Sequence, residues 1–219
     1  MHTLSRAAVA ACAAALVVTG TGTTALASDH KDVDQTLLVP TTLDSSFAPF
    51  DCTLKATGPV CTGERTLDTG WGPTDWPCDV PVYGRFLSYR TQTRFYDHDY
   101  LNYDRTFRQD DVDQLSTSPE GPVEATITSR SRFTEPFAVP GDDSTMTIIT
   151  TGTILDVQPV RGPSLLRVVG TLVEPPDGEP TFTGHVTTGG VTTRYEDAAL
   201  FSFFSDELFI EAVCQAVTA

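Results

Sequence analysis

Three of the four histidines lie beyond the first 27 residues, where each could transfer a proton. His30 lies near the start, His98 stands between two aspartates in a turn, and His185 shares a strand face with threonines. A general base needs a cleft and an orienting partner, and the pattern indicates neither. The chain has no Gly-x-Ser-x-Gly, His-Glu-x-x-His, Cys-x-x-Cys or glycine-rich phosphate motif. We therefore predict no catalytic residue, no metal and no cofactor.

Two groups of aspartates suggest parts of a calcium site. They are Asp97, Asp99 and Asp104, and Asp110, Asp111 and Asp113. Calcium takes six to eight oxygen ligands, and neither group has the glycine and terminal glutamate of an EF-hand loop. We interpret both groups as solvated carboxylates at a turn and at a strand end.

Trp71 and Trp76 are the candidate ligand-binding residues, in a loop rich in glycine and proline. Indoles on a rigid loop can stack on sugar rings or grip a partner protein. Alternatively they plug one end of the fold, which is the interpretation we favour. A second candidate is the basic stripe of Arg90, Gln92 and Arg94, which either binds an anion or, as we favour, pairs with carboxylates of a neighbouring strand.

Residues 1–27 have the order of a secretory signal peptide. Arg6 precedes an apolar run, and Ala25-Leu26-Ala27 supplies the small residues of a cleavage site. The run is too short to span a bilayer, so we predict a secreted protein without stable membrane insertion. The formal net charge of the chain, −15, argues against nucleic acid and anionic membranes as partners.

Alternating side chains predict an all-β fold from Tyr83 onward. In Val123–Phe133 the even positions are polar, and the odd positions include Val123, Ala125, Ile127 and Phe133. Short connections favour antiparallel neighbours, so we predict a barrel, or a sandwich, of about eight strands. Gly152, Gly170 and Gly184 lie inside strands, where they fit the bends of a barrel. A short helix follows Ser205, which can cap it.

The predicted domain organisation has three parts. After the signal peptide, residues 28–50 form an extended lead-in and residues 51–219 a single domain. Within it, the segment from Cys61 to Val80 is dense in glycine, proline and aspartate and is predicted to be a loop.

Four cysteines remain in an exported chain, namely Cys52, Cys61, Cys78 and Cys214. An even number in an oxidising compartment predicts two disulfides, for which three connectivities are possible. Proximity within one loop favours Cys61–Cys78.

The chain resembles a group of uncharacterised secreted proteins of high-GC Gram-positive bacteria. The resemblance rests on Phe50-Asp51-Cys52, on Arg94-Phe95-Tyr96-Asp97-His98-Asp99 at a hairpin, and on a lone cysteine in a C-terminal helix. It implies a small all-β domain whose first cysteine is bonded to the last, hence Cys52–Cys214. It implies no activity.

Two hypotheses about function remain open. The first, which we favour, is a non-enzymatic binding module for a small ligand, a glycan or a protein. The second is a secreted barrel-type enzyme, an isomerase or hydrolase that uses carboxylates or tyrosines such as Tyr89 and Tyr103. A polar interior with perturbed pKa values favours the enzyme, and an exposed aromatic patch favours the binding module.

Overall fold

The structure is a computed structural model that describes residues 33–40 and 45–219. The predicted signal peptide and His30 lie outside the described residues. The remainder contains ten strands, one α-helix and short 3₁₀ turns. The strands are β1 (Asp51–Lys55), β2 (Gly58–Asp68), β3 (Gly72–Pro73), β4 (Tyr83–Tyr96), β5 (Asn102–Ser116), β6 (Ala125–Thr134), β7 (Ile148–Pro159), β8 (Leu166–Glu174), β9 (Thr181–Thr188) and β10 (Val191–Ala199). The helix α1 spans Asp206–Val217.

All ten strands belong to one antiparallel sheet with the order β1-β2-β4-β5-β6-β7-β8-β9-β10, and β3 pairs with the start of β4. The predicted all-β class, the antiparallel order and the C-terminal helix are confirmed. The predicted barrel is wrong, because β1 and β10 end the sheet without pairing with each other. A sandwich is also wrong, since the strands form a single sheet.

Two hydrophobic clusters cover the same face of the sheet, which we call the inner face. They bury apolar side chains that a closed barrel would bury in its interior. The larger lies under α1, whose Val213, Ala216 and Val217 pack on residues of β5–β9 such as Leu115 and Phe182. In the smaller, the segment before β1 buries residues against β2 and β4. Its members are Leu38, Phe47, Phe50, Cys61 and Tyr96.

The helix begins where the sequence predicts. Ser205 is the N-cap, and its Oγ accepts a hydrogen bond from the Leu208 amide at 3.2 Å. Asp206 and Glu207 occupy the first turn, where the helix dipole favours negative charge. The polar side of α1 therefore stays in water while its other side covers the inner face.

Three strand glycines form one row across the inner face. Gly152 is paired with Gly170, which is paired with Gly184, and β7 has a register shift just beyond Gly152. A Cβ on Gly184 would lie 2.3 Å from the Val169 carbonyl oxygen and 2.6 Å from the Phe182 ring. The glycine row therefore leaves room for the Phe182 ring and the neighbouring backbone. The bends predicted at these glycines do not close the sheet into a barrel.

The disulfides join Cys52 to Cys61 and Cys78 to Cys214, so both predicted pairings, Cys52–Cys214 and Cys61–Cys78, are wrong. The predicted loop from Cys61 begins instead as β2, which places Cys61 opposite Cys52 with their Cα atoms 4.0 Å apart. Cys214 does tie α1 to the body, but through Cys78. That bond spans 136 residues, and the chain-entropy estimate for such a loop is about 5 kcal/mol.

The two disulfides indicate an oxidising compartment. Within residues 33–40 and 45–219, no helix has both the length and the apolar composition needed to cross a membrane.

Candidate functional site

The inner face carries a cavity of about 300 Å³, which we call the inner-face cavity. Strands β2 and β4–β8 form it together with the segment before β1. Its lining residues are Phe47, Arg65, Arg90, Phe107, Phe133, Glu135, Ile148 and Glu174. Apolar walls with a few convergent polar groups are typical of small-molecule sites.

Three phenyl rings form one wall of the cavity. Phe107 and Phe133 are directly opposite each other on β5 and β6, with ring centres 6.2 Å apart and planes at 87°. Phe47 approaches Phe107 edge to face, at 6.1 Å. Edge-to-face contacts hold the rings in place, so the wall is preformed.

Arg90 is neutralised by Asp111 on the neighbouring strand. Its Nε donates to Asp111 Oδ1 at 3.3 Å, and its Nη2 donates to the other carboxylate oxygen. Ser88 Oγ donates to the same Oδ1 at 2.6 Å. The predicted cross-strand pairing of Arg90 is thus confirmed, whereas Gln92 and Arg94 of the predicted stripe are buried side chains.

Arg65, by contrast, keeps unused hydrogen-bonding capacity. Its guanidinium lies 5.0 Å from the centre of the Phe47 ring, and its Nη1 donates to Ser46 Oγ at 3.4 Å. Its Nε is buried without an acceptor, and no carboxylate of the described residues lies within 4.0 Å of the group. Arg65 is therefore suited to an acceptor or an anion from outside the chain.

Among the further buried polar atoms without a partner in the described residues, three belong to neighbouring inner-face positions of β4–β6. They are Gln92 Oε1, Gln109 Oε1 and Ser131 Oγ. The register places Gln109 between Arg90 and Ser131, and its Nε2 donates to Ser129 Oγ at 3.0 Å. Because buried polar groups are normally hydrogen-bonded, such a cluster beside a cavity marks a polar site.

Glu135 joins the cavity to a buried cationic group. Its Oε2 lies 3.8 Å from Arg105 Nη1, while Arg105 donates to Asn102 Oδ1 at 2.8 Å and to Asp143 Oδ1 at 2.6 Å. Burial raises the pKa of Glu135, and the charges of Arg105 and Arg94 act in the opposite direction. The carboxyl can therefore accept a hydrogen bond or, once protonated, donate one.

Asp113 is an inner-face carboxyl of a different kind. It follows Asp111 by two positions on β5, and the residues opposite it are Phe86 and Ile127. No hydrogen bond or ion pair from the described residues reaches it. Burial, followed by the charge of Asp111, raises the pKa of Asp113 to about 6. Two carboxylates of contrasting environment therefore lie side by side.

The structure separates the two predicted ligand-binding tryptophans. Trp76 packs against the larger cluster and meets Phe209 of α1 edge to face at 6.2 Å. Trp71 is half-buried, with its ring near Gly121. Neither lines the inner-face cavity, and Trp76 contributes to the packing of the helix.

The other candidates stand apart from the cavity. His98 and His185 are exposed, and Tyr89 and Tyr103 do not line it. Among the described residues no group of three potential ligands could hold a metal ion. The interpretation of the second aspartate group as solvated is wrong for Asp111, which is only 6 % exposed and bonded to Arg90, and for Asp113, whose pKa is raised by burial.

Sequence reasoning missed Arg65, Phe107, Phe133 and Glu135 as site residues. The available signal was the alternation of polar residues at every second position of β4, namely Ser88, Arg90, Gln92 and Arg94. Alternation shows that these residues share a face, but it does not tell which face is turned inward. Comparison of the chain with protein families, with curated proteins and with solved structures finds no match. The side chains of the cavity therefore carry the functional argument.

Proposed function

We propose that this protein is an exported binding module that holds a small amphiphilic ligand in the inner-face cavity. The observation that carries the proposal is the meeting of three phenyl rings with Arg65, which has no carboxylate partner in the described chain. An apolar ring or chain of the ligand lies against Phe47, Phe107 and Phe133. An anionic group of the ligand pairs with Arg65.

The carboxylates narrow the ligand class further. Glu135 and Glu174 line the cavity together with Arg65 and the neutralised Arg90. A dianion would be repelled by them, whereas a ligand with one carboxylate and one O–H or N–H donor satisfies both charge types. The volume of about 300 Å³ is at the small end for ligand sites, which favours a single-ring molecule over a long glycan.

An NMR titration tests the proposal with two matched probes, 4-hydroxyphenylacetate and 4-hydroxybenzyl alcohol, which lacks the carboxylate. We expect shifts in Phe107, Phe133 and Arg65 signals with the acid. Arg65→Gln weakens binding of the acid at least about tenfold, but not binding of the alcohol. Arg85→Gln is the control, because Arg85 is paired with Asp68 away from the cavity.

If about 10 mM probe, a concentration above the dissociation constant of a weak specific complex, shifts no signal of a cavity residue, the cavity is not the binding site. Shifts confined to Trp71 and Trp76 would place binding in the loop instead.

The secreted-enzyme hypothesis is the second candidate, and one observation favours it. Asp111 is paired with Arg90, whereas burial and the charge of Asp111 raise the pKa of Asp113 to about 6. Pairs of carboxyls in contrasting environments commonly divide the roles of base and acid. Hydrolysis of 4-nitrophenyl glycosides or esters with a pH profile that breaks near 6, and that is lost in Asp113→Asn, would support it. No turnover across that panel rejects this route.

A further inference from the structure

Two arginines stand directly opposite each other on the outer face of the sheet. Arg108 on β5 is paired with Arg132 on β6, and both side chains are exposed. Directly opposite side chains have Cβ atoms about 5 Å apart, and like charges at that separation destabilise a sheet. The pair therefore calls for a compensating negative charge.

The chain does not supply that charge. Within the described residues, five other arginines lie within 4.0 Å of a carboxylate, and neither Arg108 nor Arg132 does. The five are Arg85, Arg90, Arg105, Arg130 and Arg167. Asp110, the acidic neighbour on the same strand face, is engaged by Arg130 at 3.1 Å.

Asp104 is a second acidic group near the pair. The charge of Arg132 lowers the pKa of Asp104, but burial dominates and raises it overall. The Asp104 Oδ1 atom is buried and has no hydrogen-bond partner among the described residues. Neither arginine of the pair lies within 4.0 Å of this carboxyl, so Asp104 does not form an ion pair with either of them.

Three hydroxyls complete the surroundings. Thr91, Thr93 and Thr106 line an outer hollow of about 220 Å³ together with the two arginines and with Phe107, whose ring itself packs on the inner face. Guanidinium groups form bidentate hydrogen bonds with the oxygens of phosphate and sulfate. Threonine hydroxyls can add donors, because the hydroxyl hydrogen can rotate toward the ligand. The net charge of −15 does not prevent this, because charges beyond about 8 Å are screened at physiological salt.

We propose that Arg108 and Arg132 form a binding site for a tetrahedral oxyanion, a phosphate or sulfate group. The site is on the opposite face of the sheet from the inner-face cavity, so it does not depend on the function proposed for that cavity. The group comes either from a free ion or from a phosphorylated or sulfated polymer, and the same residues recognise both.

NMR spectra of the arginine Nε–Hε groups test the site directly. We expect inorganic phosphate, but not chloride at the same ionic strength, to shift the Arg108 and Arg132 signals with a dissociation constant on the order of 1 mM, as befits a few exposed charge-assisted hydrogen bonds. The double variant Arg108→Gln/Arg132→Gln should lose at least about tenfold in affinity. Because both side chains are exposed and their like charges repel each other, this variant is expected to melt at the temperature of the parent or above it.

The matched control is Arg161→Gln/Arg194→Gln, which removes the same charge at exposed positions elsewhere. Equal weakening by both double variants, or equal shifts with chloride, overturns the proposal because the effect is then general screening. Polyphosphate at the same phosphate concentration identifies the source of the group. Binding at least tenfold tighter per phosphate supports a polymer, and equal binding supports the free ion.

Discussion

Asp113 offers the sharpest test of how the inner face is built. Its carboxyl lies on β5 between Phe86 and Ile127, and burial with the charge of Asp111 raises its pKa from 3.8 to about 6. Between these two pH values the folded chain binds more protons at Asp113 than the unfolded chain does. The free energy of unfolding therefore falls as the pH rises from about 4 to about 7.

The size of this effect follows from the shift. Each pKa unit corresponds to about 1.4 kcal/mol, so two units set an upper limit of about 3 kcal/mol. Asp113 keeps some contact with water, which screens its charge, and we expect about 1–2 kcal/mol. Asp113→Asn keeps the shape and removes the charge. At pH 7 the variant should melt about 3–6 °C above the parent, and at pH 4 the two should coincide.

Denaturant unfolding across pH 4–8 measures the free energy of unfolding of parent and variant. Glu135 and Asp104 are present in both proteins, so their contributions cancel to first order in the difference. Asp110→Asn is the control, because it makes the same change of charge on the opposite strand face and removes only the exposed pair with Arg130. If Asp113→Asn stabilises equally at both ends of the range, or no more than Asp110→Asn at pH 7, the argument from burial is refuted.

Three further outcomes follow from packing and capping. Trp76→Ala should cost about 3 kcal/mol because the indole packs on Phe209 and the larger cluster, and Trp71→Ala should cost less; a similar loss in both would contradict this difference. Ser205→Ala should cost about 1 kcal/mol through the lost bond to the Leu208 amide, visible as fraying of α1 in hydrogen exchange, and an unchanged protection pattern would dismiss the cap. Gly184→Ala should cost more than about 2 kcal/mol, because its Cβ meets backbone at 2.3 Å, while Gly72→Ala, with no atom within 4 Å, serves as the control in thermal melts.

The elements that the sequence predicted are those set by local chemistry. The alternation in Val123–Phe133 follows β6, and the cap at Ser205 follows from the neighbours of that residue. Closure of the sheet depends instead on whether two distant strands meet. No local pattern in β1 or β10 encodes that contact, and glycines such as Gly170 indicate close approach without saying how far the sheet turns.

The disulfide error has a similar origin. Gly58 and Gly63 give β2 the composition of a loop, yet Gly63 is buried because the Phe47 carbonyl and the Phe50 ring lie where its Cβ would be. Gly63 therefore allows the segment that contains Phe47 and Phe50 to pack closely against β2. Once β2 is a strand, Cys61 faces Cys52 and Cys78 is left for α1.

The candidate site was not predicted because its polar residues lie on the inner face of the sheet, whereas alternation is usually interpreted with the polar face toward water. In β4 the polar set that includes Arg90 and Gln92 turns inward, while Tyr89 on the other face is 47 % exposed. A sequence pattern that contrasts polar with apolar assigns the polar face to water. Gln92 and Arg65 therefore have buried polar atoms without a hydrogen-bond partner in the described chain. Burying such atoms costs free energy, and apolar side chains at these positions would avoid that cost. Retention of polar groups at such a place is most simply explained by a ligand that completes their hydrogen bonds, which is why the inner-face cavity, and not the tryptophan loop, carries the proposed function.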